Sequence, residues 1–472
     1  MAKTSKTMLN SNGESGHKLT ESLQFISDGH IAEAAEAKKR RTPFLLGAIA
    51  AILAIVLLVN GTGIPMTVQA EAVSLAQYPQ YQWKYRENMS KTQDQLTNFF
   101  SRSIQATLSG AEGNNQVYSP TNLYMALAIA AELTGGATRD QILSQFDLDS
   151  IEALRSQSSE LWNAVYFDDG DQTLLANSLW LDEELSYNQA VMDTLADTYY
   201  TSVYRSDLGS SRSNQAIRTW LNNQTGGLLK KEVQNAGFDP DSLSFPVFAL
   251  YSTVYYQSKW VESCEFNAAN NERGVFHSPD GDQTVTYMKQ KEMQSYYYWG
   301  EDFGAVSLGL KDSSTMWLIL PDEGKTVDDV LASGEYLLPI FSRELYEPYT
   351  QSSNSKYMKI NLSLPKFDIH AGGDLKEDIQ DLGITDIFDA GTADFSGSIS
   401  GDYPVWVSAV NQATRVAVDE KGVTAASYIE LPGAGAAMPP EEIIDFVLDR
   451  PFIFVIANRY ALPLFAGVVN EP

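Results

Sequence analysis

The sequence predicts an α+β domain, and three observations carry the prediction. Near the start of that domain Leu96, Phe99, Phe100, Ile104 and Leu108 fall on one face of a helical pattern. Further on come β-rich runs, among them Leu174–Leu181, Phe245–Trp260 and Val405–Val418. The composition, 44% hydrophobic and 20% charged over 472 residues, supplies a core of ordinary size.

The chain reads in four parts. Residues 1–42 form a polar tail, in which Leu19–Ser27 suits a short helix ended by Asp28-Gly29. Lys38-Lys39-Arg40-Arg41 then precede an uncharged run from Phe44 to Val59, extendable to Met66. Residues 43–66 thus reach the length of about 20 residues that crosses a bilayer. The basic cluster predicts a single-pass orientation in the cell membrane, with a cytoplasmic N-terminus and an extracellular body. The alternative is a cleaved signal peptide, since Val68-Gln69-Ala70 resembles a cleavage site, and a secreted product. Residues 67–89 read as a linker, and 90–472 as the globular domain.

Within the domain, Ser119-Pro120 opens a second helix as N-cap and first-turn proline. The run Leu123–Leu133 is apolar nearly all round, which predicts burial. Thr138–Phe146, Ala190–Tyr199 and Ile217–Gly227 read as further helices, and Pro279-Asp280-Gly281-Asp282 as a hairpin turn.

Charge and motifs exclude several functions. The net charge is −27; the first 42 residues hold seven Lys/Arg and five Asp/Glu, so the remainder carries −29. Such a surface repels nucleic acid. The single cysteine, Cys264, forbids an intrachain disulfide and reads as a buried small residue. Only His277 and His370 follow the apolar segment, and neither sits in a metal-binding motif. No nucleophile elbow or phosphate-binding loop occurs, which disfavours an enzyme and leaves no cofactor or metal expected.

One stretch carries two signals. After Val418-Asp419-Glu420-Lys421-Gly422, the residues Val423, Ala425, Ser427, Ile429 and Leu431 alternate with Thr424, Ala426, Tyr428, Glu430 and Pro432. The first set is small or apolar, as in a half-buried strand. Yet Pro432, Gly433, Gly435 and Pro439 mark an exposed loop. From pattern alone, a plain strand followed by a loop fits as well.

Asp419-Glu420-Lys421-Gly422 with the small residues Val423, Thr424, Ala425, Ala426 and Ser427 resembles the reactive-loop hinge of serpins. Val117–Asn122, Gly135–Leu143, Leu364–Phe367, Leu382–Phe388, Arg450–Phe454 and Leu464–Asn470 resemble further serpin segments in order and spacing. With its leading apolar segment, the chain is similar to serpins of the bacterial type. The resemblance implies eight or nine helices around three β-sheets, an exposed reactive-centre loop and a monomer. It also implies inhibition of a serine protease by trapping the acyl-enzyme while the loop inserts as a new strand. The alternative is a non-inhibitory member, cleaved as a substrate or acting as a surface binding protein.

Counting from the hinge, as the resemblance directs, gives the reactive bond Ala436–Ala437; counting back from Phe446 and Pro451 gives a point near Pro440. Every bond in the window Ala434, Gly435, Ala436, Ala437, Met438 offers a small residue, which suits an elastase-like or subtilisin-like protease. Trp260 is a candidate gate for insertion or an ordinary core aromatic. Asn411 and Ser252 hold the places of the family's sheet-opening His and Asn, with Ser119 and Asn122 as neighbours. Tyr428 and Pro432 depart from the usual hinge.

Overall fold

The protein is described from a computed structural model. It describes residues 73–76 and 89–472, apart from 112, 170, 231, 239–247, 342–353, 401–403 and 424–440. The tail, the apolar segment 43–66 and the possible cleavage site therefore lie outside the described residues. Among the described residues no helix is long and apolar enough to cross a membrane.

The domain opens with β1 (Val73–Ala76), α1 (Met89–Leu108), β2 (Gln116–Tyr118), α2 (Pro120–Leu133), α3 (Gly136–Gln145) and α4 (Ile151–Val165). Next come β3 (Phe167–Asp169), β4 (Asp171–Asp182), β5 (Ser186–Tyr187), α5 (Gln189–Tyr199), β6 (Thr201–Ser206), α6 (Ser211–Gln224) and β7 (Phe248–Lys259). The middle holds β8 (Glu272–Ser278), β9 (Gly281–Trp299), β10 (Phe303–Gly309), β11 (Thr315–Pro321), α7 (Val327–Ser333) and α8 (Leu338–Phe341). The end holds β12 (Ser355–Pro365), β13 (Phe367–Asp374), α9 (Lys376–Asp381), β14 (Ile399–Ser400) and β15 (Asn411–Asp419). Last are β16 (Gly422–Val423), β17 (Ile443–Val447), β18 (Phe452–Ala457) and β19 (Pro463–Val469).

The strands form the expected α+β arrangement. A large sheet runs β1-β6-β4-β7-β16-β15-β13, with β3 on β4. A nine-stranded sheet runs β17-β12-β9-β10-β11-β18-β19-β2, with β8 on β9, and β5 pairs with β14. The 19-residue β9 joins two surfaces: most of it pairs with β8 and β12, and its last residues with β10. The expected hairpin turn lies between β8 and β9, where Ser278 faces Gly281.

Helix α2 runs between the two large sheets, which explains its nearly all-round apolar sequence: all but one of its residues are buried. Ser119 caps it as expected, its hydroxyl accepting from Asn122 N at 3.2 Å. On the opposite face of the large sheet lies α6. Its Ile217, Trp220 and Leu221 join Trp180 of β4 and Ala249 of β7 in a second apolar cluster.

Two expectations need correction. The linker 67–89 contains β1, which pairs antiparallel with β6 and forms the edge of the large sheet. Four residues are too few to give a readable period, and β1 satisfies backbone groups that β6 would otherwise expose. The β-rich run from Val405 to Val418 is strand only from Asn411; residues 404–410 are irregular. There Val407 N donates to Ile387 O and Val410 N to the Asp374 carboxylate, so at least these two donors find partners without a ladder.

Candidate functional site

The interest centres on how β15 turns into β16. Val418 faces Val423 and Asp419 faces Gly422, so the two strands form a tight hairpin through Glu420-Lys421. On its other side β16 pairs with β7, Gly422 against Lys259 and Val423 against Ser258. Two residues of strand are thus wedged between β7 and β15. Among the described residues, those two strands have no direct ladder with each other.

Only glycine fits at 422. Its φ is +146°, and a Cβ there would lie 2.3 Å from Ser258 O and 2.6 Å from Lys259 Cα. Val423 is 2% exposed, so the alternation begins with an apolar residue already packed inside. Thr424, Ala425, Ala426 and Ser427, and the window Ala434, Gly435, Ala436, Ala437 and Met438, lie outside the described residues, as do Tyr428 and Pro432.

The turn is held on three sides. Trp260 is fully buried and stands edge-on to Phe266; its Nε1 donates to Asp419 O at 2.9 Å and its backbone N to Lys421 O at 3.2 Å. Trp260 is therefore a core aromatic that also fastens the hinge turn. Glu420 accepts from Lys366 Nζ and from Asn271 Nδ2, each at 2.5 Å. Burial pushes its carboxyl up, but those two donors outweigh burial and leave it below the usual glutamate range.

Below β16 a slot continues between β7 and β15. A cavity of about 30 Å³ is lined by Val254, Tyr256, Thr414, Val416, Val423 and Phe465, among others. Its floor is polar. Asn122 Nδ2 donates to Ser252 O at 2.8 Å. The Ser252 hydroxyl reaches the Asn122 side-chain oxygen and, at 2.6 Å, that of Asn177. Asn177 Nδ2 donates in turn to Tyr199 O at 3.1 Å. The predicted trio Ser119, Asn122 and Ser252 is thus assembled, and Asn177 is a fourth member that sequence reasoning missed.

Asn411 is not part of this floor. It is exposed at the start of β15, opposite Asp374. Gln412 reaches inward instead: its Oε1 accepts from Ser119 N at 2.8 Å and its Nε2 donates to Ser119 O at 3.4 Å. Strand side chains alternate, so an assignment one residue off lands on the wrong face. The alternation Thr414, Val416, Val418, all buried, extends back to Gln412 and carried that signal.

The remaining candidates are structural. Cys264 is buried, and burial lifts its thiol above the ordinary value. His277 is exposed beside Asp282 at 2.8 Å, and His370 is exposed on β13.

A glycine packed between two strands that do not pair with each other, above a buried polar floor, matches a family pattern. The family model for Serpin (serine protease inhibitor) covers residues 94–472. This chain belongs to the serpin family. Serpin-ZX from Arabidopsis thaliana is 28% identical over 408 residues, covering 82% of this chain and 99% of that protein. Leukocyte elastase inhibitor from Homo sapiens is 25% identical over 366 residues, covering 76% and 93%. The crystal structure of tengpin, a thermophilic serpin, in its native state superposes with a TM-score of 0.71 at 23% identity. It covers 85% of this chain and 100% of that one. Serpins are generally protease inhibitors rather than enzymes, and this chain carries the fold throughout its domain.

Proposed function

We propose that this serpin inhibits a serine protease by suicide trapping, with the slot between β7 and β15 as the place its cleaved loop enters. The observation that carries this reading is β16, two residues of hinge seated between strands that otherwise lack a common ladder.

The hinge register can be carried forward residue by residue. In the inserted state Ala425 would face Tyr256 and Val416, Ser427 would face Val254 and Thr414, and Ile429 would face Ser252 and Gln412. Small inward residues suit the narrow slot. On the outer side Ala426 would meet Tyr255 and Arg415, and Tyr428 would meet Thr253 and Ala413. Ala413 packs against the cluster under α6, so the bulk of Tyr428 calls for α6 to give way. Pro432 would face Ala249 of β7 but would lie beyond the end of β15, which begins opposite Glu430. Its missing N–H is therefore tolerable there.

The reactive bond on this reading is Ala436–Ala437, and the small side chains from Ala434 to Met438 suit an elastase-like or subtilisin-like cleft. Residues 43–66 would hold the inhibitor at the outer face of the cell membrane.

The test is to mix the domain with an elastase-like serine protease and to run denaturing gels with mass spectrometry. The expected product is a covalent adduct, with a C-terminal fragment released at one bond between Ala434 and Met438. Clean cleavage without adduct would make the protein a substrate, with Tyr428 and Pro432 the first residues to replace.

A further inference from the structure

The apolar run of α2 contains a single charged residue, Glu132, and it is 2% exposed. Its place next to the end of the helix is electrostatically poor, since a helix C-terminus carries partial negative charge. Two other helices compensate it. Arg155 of α4 donates from Nε at 2.9 Å and from Nη2 at 2.7 Å, a bidentate pair. Tyr199, the fully buried last residue of α5, donates its hydroxyl at 3.0 Å. Burial and the adjacent carboxylate hold that hydroxyl well above its ordinary range, so it stays a donor. The backbone of Tyr199 meets the slot: its carbonyl accepts from Asn177 Nδ2 at 3.1 Å. Tyr200 follows in the left-handed region at φ +53°, and β6 begins at Thr201, which lies beside Asn177. One residue thus touches the ion pair with its side chain and the floor of the slot with its main chain.

Resting on the trapping reading above, we propose that Glu132 is a positioning residue for strand entry: fastened by Arg155, it holds Tyr199 and, through it, Asn177 in the floor. Stability alone does not account for the pair. Apolar side chains of similar volume often replace a buried ion pair without loss. What they cannot do is accept the hydrogen bond from Tyr199. Packing would still retain the ring, but the end of α5, and with it the carbonyl that holds Asn177, would no longer be tied to α2. The tie matters because α2 then grips the floor twice. Asn122, in its first turn, meets Ser252 directly, and Glu132, near its end, reaches Asn177 through Tyr199. Asn177 and Ser252 sit opposite each other on β4 and β7, so both grips fall on the strands that border the slot.

The experiment uses the full chain and three variants. Tyr199→Phe removes only the hydroxyl. Glu132→Met with Arg155→Met and Tyr199→Phe makes the cluster wholly apolar, leaving no buried charge or orphaned donor. Glu132→Gln with Arg155→Met removes the charges but keeps an oxygen that can accept from Tyr199. The first readout is amide hydrogen exchange in the intact protein, by mass spectrometry of peptides from β4 and β7. Tyr199→Phe and the apolar triple variant should exchange about fivefold faster around Asn177 and Ser252, with peptides from β18 and β19 unchanged. The triple variant should melt within about 3 °C of wild type, because its packing is kept. Glu132→Gln with Arg155→Met should restore wild-type exchange. The second readout is the decay of adduct-forming activity on warming, which should be faster in the first two variants. A wild type that forms no adduct would remove the trapping reading alone, since the exchange comparison still decides whether Glu132 sets the floor. An apolar triple variant that exchanges like wild type overturns the proposal. So does a glutamine variant that exchanges as fast as the triple variant, or an increase shared equally by β18 and β19, which marks general destabilisation.

Discussion

Strands β18 and β19 bury every residue, from Phe452 to Ala457 and from Pro463 to Val469, and pair with each other, with one irregularity at Ile456/Ala457, and with β11 and β2 on their outer sides. Strands β7 and β15 instead flank a slot floored by Ser119, Asn122, Asn177, Ser252 and Gln412. An apolar, fully laddered sheet has one favourable arrangement, because no backbone group is left for a newcomer. A sheet divided over a polar floor retains backbone donors and acceptors that another strand can satisfy. Its hydrogen-bonded side chains can also exchange partners without opening an apolar void. On this account the nine-stranded sheet fixes the fold, and the large sheet holds the capacity for change.

The largest expected effect lies on the rigid side. Phe454→Ala removes a fully buried ring that packs 5.5 Å from Phe367, and should cost about 3–5 kcal/mol in denaturant unfolding. The molecules that remain folded should trap protease as well as wild type does, since the slot is untouched. Loss of trapping at unchanged stability would collapse the distinction between the two sheets.

Gly422→Val attacks the slot itself. Its Cβ would meet Ser258 O at 2.3 Å, so β16 would have to leave its seat. A cost of about 2 kcal/mol is expected, together with a shift from adduct to simple cleavage on gels. Equal adduct yields would show that the seated hinge is not needed for insertion.

Ser252→Ala leaves the side-chain oxygens of Asn122 and Asn177 without their shared hydroxyl, at about 1 kcal/mol. Weakening the floor should also speed spontaneous loss of inhibitory activity on warming, followed by residual activity over time.

The smallest effect is pH-dependent. The folded Glu420 carboxyl lies below its usual value, so its contribution is present above the unfolded glutamate pKa of about 4.3 and fades as pH falls through the folded value. Lys366→Ala should cost about 1 kcal/mol at neutral pH, kept small because Lys366 is 38% exposed and screened by water. The gap between wild type and variant in urea unfolding should narrow as pH falls below about 4.3 and close only once pH is below the lowered folded value, where the carboxyl is protonated.

Much of this contrast was legible in the sequence, and the reasons are local. Ser119-Pro120 announces α2 because capping is a short-range chemistry, and the run Leu123–Leu133 declares burial because no polar face interrupts it. The tight turn at Gly422 was legible because a lone glycine ending a β-rich run is a local signal; the alternation after Val423 lies outside the described residues. What failed depended on partners distant in sequence. Strand β1 exists because β6, more than a hundred residues later, offers it an edge. Asn177 joins the floor only because β4 pairs with β7, Asn177 facing Ser252. The assignment of Asn411 in place of Gln412 shows how sharply a strand punishes a one-residue error, since each step reverses the face.

The central claim is that the slot between β7 and β15 accepts the residues after Val423 as a strand. Thermal unfolding before and after a single nick in the loop tests it most directly. New ladders on both sides of residues 424–431 should raise the melting temperature by more than about 20 °C, given about 1 kcal/mol for each hydrogen bond gained. A nicked protein that melts where the intact one does would contradict insertion, and with it the trapping mechanism.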